Sequence, residues 1–306
     1  MGNWHAGCGA KGGASCLGAC RTPSDNQNGA TTMLSVNTNT GAMIALQYLN
    51  ETQAQLSQAQ NAINTGLKVA SAKDDGATYA IAQNMRGEVS GYSSVTDSLN
   101  RGMSAVDVAM SAGQSISDLL IEMKQKALSA SDTSLDTASR QAMNQDFIAL
   151  RDQISTIVKN AVFNGFNLVD GSTTQITALA SADGARRVTV AAEKMALSGS
   201  IVTIKSTNTI STAARASTMV ATIEASLNNV NSALAKLSAG SKKLSIQLDF
   251  TQKLSDTLTT GIGDLVDANM AQESAQLNAL QTKQQLGVQA LSIANQAPQI
   301  LLSLFH

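Results

Sequence analysis

The 306-residue sequence predicts a mainly α protein: a long antiparallel helical bundle or coiled coil formed by the N- and C-terminal regions, with a small β-hairpin region in the middle. Three observations lead there. Apolar residues recur at 3–4 spacing through most of the chain, which is the period of one helix face. Only 2 prolines occur in the whole sequence, so few positions forbid a helix. The β-branched runs bounded by glycine turns are confined to about residues 163–206.

The composition narrows the function before any motif is read. Aromatic residues are 3% and charged residues 14% of the chain, whereas an enzyme pocket normally needs aromatic walls and ionisable groups. A net charge of −1 provides no basic field for nucleic acid. No apolar run approaches the length of a membrane span. The sequence therefore predicts neither enzyme nor cofactor, no nucleic-acid partner and no membrane insertion.

Residues 1–32 read as foreign to the rest. They hold Cys8, Cys16 and Cys20, the single Trp4, and a glycine-rich stretch without period. The cysteines lack a paired C-x-x-C, which disfavours a metal or redox site, and no apolar core of a signal peptide is visible. The expectation is a disordered extension, or a start assigned too early with Met33 as the true first residue.

From Ala42 a helix pattern runs through Leu46, Leu49, Leu56, Ile63, Leu67 and Ala70, and the turn chemistry of Ser71–Gly76 closes it. A second helix is expected over Thr78–Ala130, broken near Gly87–Ser93, with Leu99, Met103, Val106, Met110, Ile116, Leu120, Met123 and Ala127 inward. A third covers about Ala138–Asn160, with Met143, Phe147, Leu150, Ile154 and Ile157 inward. Phe163-Asn164-Gly165 and Asp170-Gly171 are turn signals that open the β region. Short β-branched runs at Gln175–Leu179, Arg187–Val190 and Ile201–Lys205 predict two or three strands. The longest pattern, about Ser211–Thr260, keeps Val220, Ile223, Leu227, Val230, Leu234, Leu237, Leu244 and Leu248 in register, as packing against another long helix requires. Gly261–Asp264 is expected to break it.

The last stretch carries one charge after Glu273, Lys283, and two adjacent apolar seams. Leu286, Ala290, Ile293, Ala297, Ile300 and Leu304 form the first; Leu277, Leu280, Gly287, Leu291, Ala294, Leu301 and Phe305 form the second. Two seams make a face wider than one helical partner covers. Exposing it costs roughly 1.5–3 kcal/mol for each large side chain. The first helix is similarly neutral, with Glu51 its only charge between Met33 and Leu67. In a symmetric polymer every charge becomes a ring of charges, and two of them about 10 Å apart repel by about 1–2 kcal/mol at an effective dielectric near 20. Amide-rich, uncharged ends avoid that repulsion. The layout predicted is 33–75 with 262–306 as paired terminal helices around 76–261, the inner helical shell.

Several motifs then resemble one family, the bacterial flagellins. They are Val36-Asn37-Thr38-Asn39 with Ala45-Leu46 and Leu49-Asn50; Ile63-Asn64-Thr65-Gly66 with Val69–Asp75; Phe163-Asn164-Gly165 with Leu168 and Asp170-Gly171; and Gln284-Gln285, Ala290-Leu291, Ala294-Asn295-Gln296, Pro298-Gln299 and Leu302-Ser303-Leu304. The resemblance spans Met33–His306 and is similar to the short alphaproteobacterial type. It implies a structural subunit that polymerises into the extracellular flagellar filament, with a hook-associated junction protein as the alternative. Implied partners are other copies of the chain, an export chaperone, the flagellar type III export apparatus, and the hook-associated and cap proteins. Carried onto this sequence, the inner seam would set Leu46, Leu49, Leu56 and Ile63 with Leu286, Ile293, Ile300 and Leu304. Two departures are the cysteine-bearing 1–32 segment, and Glu122 and Lys126 where receptor-recognised flagellins carry Arg and Leu; the second implies poor recognition by the mammalian innate receptor.

Overall fold

The computed structural model describes the backbone of residues 38–303 and side chains through residue 296. The expectations for residues 1–32, and for Leu304 and Phe305, lie outside the described residues. The element order is α1 Thr40–Thr65, α2 Gly76–Ala130, α3 Thr137–Asn160, β1 Val162–Phe163, β2 Phe166–Asn167, β3 Gln175–Leu179, β4 Arg187–Ala191, α4 Ala213–Val266 and α5 Met270–Ser303. The chain divides into two compact units: a central one, Gln55–Ala279, and a terminal one made from the chain up to Ala54 and from Leu280 onward. The dividing points fall inside α1 and α5.

Capping residues set most of the helix starts. Asp75 accepts from the backbone N–H groups of Ala77 and Thr78, and Asp136 does the same for Ala138 and Ser139, relieving donors that have no partner inside a helix. Thr212 caps α4 through Arg215 N–H, and Asn39 and Asn269 open α1 and α5. Hydrogen bonds from Thr78 and Ser139 hold the Asp75 and Asp136 carboxyls below the usual aspartate value.

In the central unit α2 and α4 form an antiparallel pair. Met85 lies by Gly261, Gly102 by Leu244, and Gly113 by Leu234, so position numbers fall on one helix as they rise on the other. Leu99, Ile116, Leu120, Ile223, Leu237 and Leu244 are buried between these helices and their neighbours. The helix α3 adds Phe147 and Ile154 to the same core. The antiparallel hairpin β3–β4, in register Ala178↔Val188, lies with β3 toward α2 and β4 toward α4. Two glycines make that approach possible. A Cβ on Gly240 would sit 2.5 Å from Val190 Cγ1, and one on Gly91 would sit 2.7 Å from Ala182 Cβ. At the other end of the unit Leu67 bridges Asp267, and Val69, Ala82 and Val266 form a small separate cluster.

The inward stripes read from the sequence on α2, α3 and α4 are buried or half-buried in the fold. Several boundaries differ. The helix α1 ends at Thr65, before Leu67 and Ala70, because Gly66 turns into the left-handed region at φ 72°. The expected break at Gly87–Ser93 is absent, since Gly87 and Gly91 both stay helical and Gly91 serves close packing instead. Gly261–Asp264 does not interrupt α4 either; the helix runs to Val266 and stops at the extended Asp267.

The expected strand at Ile201–Lys205 is irregular chain with one bridge, Leu197↔Val202. Its backbone is taken up elsewhere, with Thr203 N–H donating to the buried Ser226 Oγ and Ser198 N–H to Ile204 carbonyl. Conversely, Phe163-Asn164-Gly165 is more than a turn. Asn164 at φ 48° and Gly165 at φ 83° close a two-residue hairpin between β1 and β2, the conformation an Asn-Gly pair favours.

Candidate interaction surface

In the terminal unit α1 and α5 meet through small and neutral groups. Leu49 lies against Gly287, with its Cδ1 3.2 Å from where a Cβ would stand. Gln284 Nε2 donates to Gln53 Oε1 at 2.6 Å, and Asn39 Nδ2 donates to the Ala294 carbonyl at 2.7 Å. The described part of this unit carries one acid, Glu51, and one base, Lys283. Its helix contact is therefore built from amides and aliphatics. It works without charge because a glycine lets the backbones approach and uncharged amides hydrogen-bond across the pair.

The two apolar seams of α5 have different surroundings. Gly287, Leu291 and Ala294 of the second are half-buried and Leu280 is buried, whereas the first faces outward: Leu286 is 59% exposed, Ile293 70%, and Ala290 is also exposed. On α1, Leu46 is 47% exposed and Leu49 half-buried. Within the central unit Leu56 is buried, and Ile63 and Leu277 are half-buried. The side chains of Ala297 and Ile300 lie outside the described residues, although the backbone of α5 stays helical through both and through Pro298. The face that α5 turns toward α1 carries Gly287, a member of the second seam.

The sequence reading missed further members of the exposed set. Met43, Ile44 and Tyr48 on α1, and Val288 on α5, are large and open to solvent. Their signal was present: Ile44 and Tyr48 stand four apart, a stripe on the side of α1 away from Leu46.

The acidic pair Asp74-Asp75 does local structural work. Asp74 accepts from the N–H groups of Ala70 and Ser71, and Asp75 caps α2. Arg186 and Arg187 are exposed, Arg187 at the start of β4. Among the described residues no cluster of His, Cys, Asp and Glu could hold a metal ion, and no helix is long and apolar enough to cross a membrane.

Comparison with known proteins accounts for this architecture. The bacterial flagellin N-terminal helical region matches residues 36–174, and the bacterial flagellin C-terminal helical region matches residues 220–305. Flagellin FljK of Caulobacter vibrioides is 53% identical over 272 residues, covering 89% of this chain and 98% of that one. A flagellin of Brucella melitensis is 35% identical over 294 residues, covering 90% and 100%. A solved Bacillus cereus flagellin is similar at 20% identity and a TM-score of 0.44, over 49% of this chain and 86% of its own. With both helical regions of the family present in order, and relatives matched along nearly their whole length, the chain belongs to the bacterial flagellin family.

Proposed function

We propose that the outward faces of α1 and α5 are where copies of this flagellin join one another. As a flagellin, the chain is a structural subunit of the extracellular flagellar filament, serves motility and is not an enzyme. Nothing observed favours the hook-associated alternative. The single observation behind the proposed contact is the set of large side chains left open on an uncharged surface: Leu46 on α1, and Leu286 and Ile293 two turns apart on one face of α5. Such a surface is costly in water. Its lack of charge suits a surface repeated around an axis, where any fixed charge would face its own copies.

On this reading Leu46, Leu49, Leu56, Ile63, Leu277, Leu280, Leu286, Ala290, Ile293, Ala297, Ile300 and Leu304 comprise the helix-pairing and polymer seams together. Residues 33–75 with 262–306 would form the inner layer of the filament, and 76–261 the layer outside it. Before assembly the same α5 face would suit an export chaperone on the way to the flagellar type III apparatus, and cap and hook-associated proteins would border the finished polymer. The test is Ile293→Asp and, separately, Leu46→Asp in the purified chain. Each is expected to abolish filaments by electron microscopy while helicity is retained; normal filaments from either variant would overturn the assignment.

A further inference from the structure

Two exposed apolar patches in the central unit carry opposite charge. On α4, Ile246 and Phe250 stand one turn apart and open to solvent, Phe250 57% exposed. Lys242, Lys243 and Lys253 surround them on the same helix, all exposed and in no ion pair among the described residues; Asp249 is the one acid in the group. On α2, Ile121 and Leu128 stand two turns apart, Leu128 60% exposed. Asp118 and Glu122 accompany them, exposed and likewise in no ion pair among the described residues. The nearby bases are already engaged: Lys124 binds Glu224 at 3.0 Å and Lys126 binds Asp146 at 2.7 Å. Asp118 accepts a hydrogen bond from the Gln114 amide at 3.2 Å.

These patches cannot meet within one molecule. Gly102 lies by Leu244 and Lys124 by Glu224, so the basic patch is level with about residues 96–100 of α2. That is some two dozen residues from the acidic patch, roughly 35 Å of helix at 1.5 Å per residue. A second copy standing beside the first and shifted along the helix direction by about that length would bring the two patches to one level, acid by base and aliphatic by aromatic. It would leave one patch of each kind open for the next copy. Contacts between unlike surfaces propagate in this way into open helical polymers.

We propose that the α4 patch around Ile246 and Phe250 of one subunit docks on the α2 patch around Ile121 and Leu128 of a second copy, and that the Lys and Asp/Glu rims set its register. The proposal rests on the reading of the chain as a self-assembling filament subunit and adds a second, charged contact to the neutral one on α1 and α5. Complementary rims of this kind steer association and penalise wrong alignments.

Charge reversal tests it. One variant carries Asp118→Lys and Glu122→Lys, a second carries Lys242→Glu, Lys243→Glu and Lys253→Glu, and a third carries all five; sedimentation gives the critical concentration for assembly, and circular dichroism confirms that each is folded. Each one-sided variant is expected to assemble only at a critical concentration about tenfold higher or more, and the five-fold variant to return toward the unaltered chain. A 1:1 mixture of the two one-sided variants should assemble better than either alone. One-sided variants that assemble normally, or a five-fold variant no better than they are, would overturn the proposal. Ile293→Asp run alongside separates the two ideas: if it fails to assemble while the reversals succeed, the filament reading stands and this contact is lost.

Discussion

The central and terminal units use the same kind of amphipathic helix and complete it differently. Along α4, Ile223, Val230, Leu237 and Leu244 repeat every seven residues and all are buried, each facing a partner in the same chain. Along α5, Leu286 and Ile293 keep the same seven-residue spacing and both are open. Identical periodicity thus yields a finished core in one unit and an unfinished face in the other. The difference lies in what surrounds each helix: α4 has α2 and a hairpin against it, whereas α5 meets α1 through Gly287 and two amide hydrogen bonds. Periodicity states that a face will be covered; it does not say by which molecule.

The comparison can be broken or sharpened in a graded series. The largest effect on the isolated molecule is expected from Ile223→Ala, which should lower unfolding free energy by about 2–5 kcal/mol through the cavity it leaves, read by urea denaturation. Gly240→Ala comes next, at about 1–3 kcal/mol lost, because Val190 is β-branched and cannot swing a flexible end away from the new methyl group. Gly87→Ala, with nothing within 4 Å of its Cβ position, should have the opposite sign, a gain of about 0.5–1 kcal/mol from helix propensity alone. If both glycine changes had the same sign, the close seating of β4 on α4 would be in doubt.

Leu286→Ala should change monomer stability by less than about 0.5 kcal/mol and yet raise the critical concentration for filament growth. A large loss of monomer stability would mean that this face is covered within the molecule. The smallest effect concerns acid. Asp75 is held below the ordinary value of 3.8, chiefly by the Thr78 hydroxyl and N–H. A carboxyl whose pKa is depressed by folding contributes fully above its unfolded value, and its contribution fades as pH falls through the folded one. Carboxyl NMR should therefore show Asp75 and Asp136 titrating below unstructured aspartates, and Asp75→Asn should remove part of the stability change below about pH 4.

Much of the fold was legible because the central helices bury their stripes in a local, periodic way. The strands β3 and β4 could be read from alternation and flanking glycines. What escaped the reading depended on neighbours distant in sequence. Gly91 looked like a break because a glycine in isolation weakens a helix; only the approach of Ala182, ninety-one positions later, explains it. Ile201–Lys205 looked like a strand because its composition is strand-like, but Ser226 on α4 takes the Thr203 N–H. On the candidate surface, the uncharged character and both seams were visible, whereas Met43, Ile44 and Tyr48 were not singled out.

The sequence alone determined the helical class, the place of the β region, the neutral ends and the family, since each follows from local period, turn chemistry or motif. Tertiary structure decided which α5 seam turns inward, where the glycines admit a close neighbour, and how far apart the two charged patches stand. The physical reason is one of range. Propensity and amphipathicity act over a few residues, whereas the choice of partner for a face is made by backbones hundreds of positions apart coming within a few ångströms.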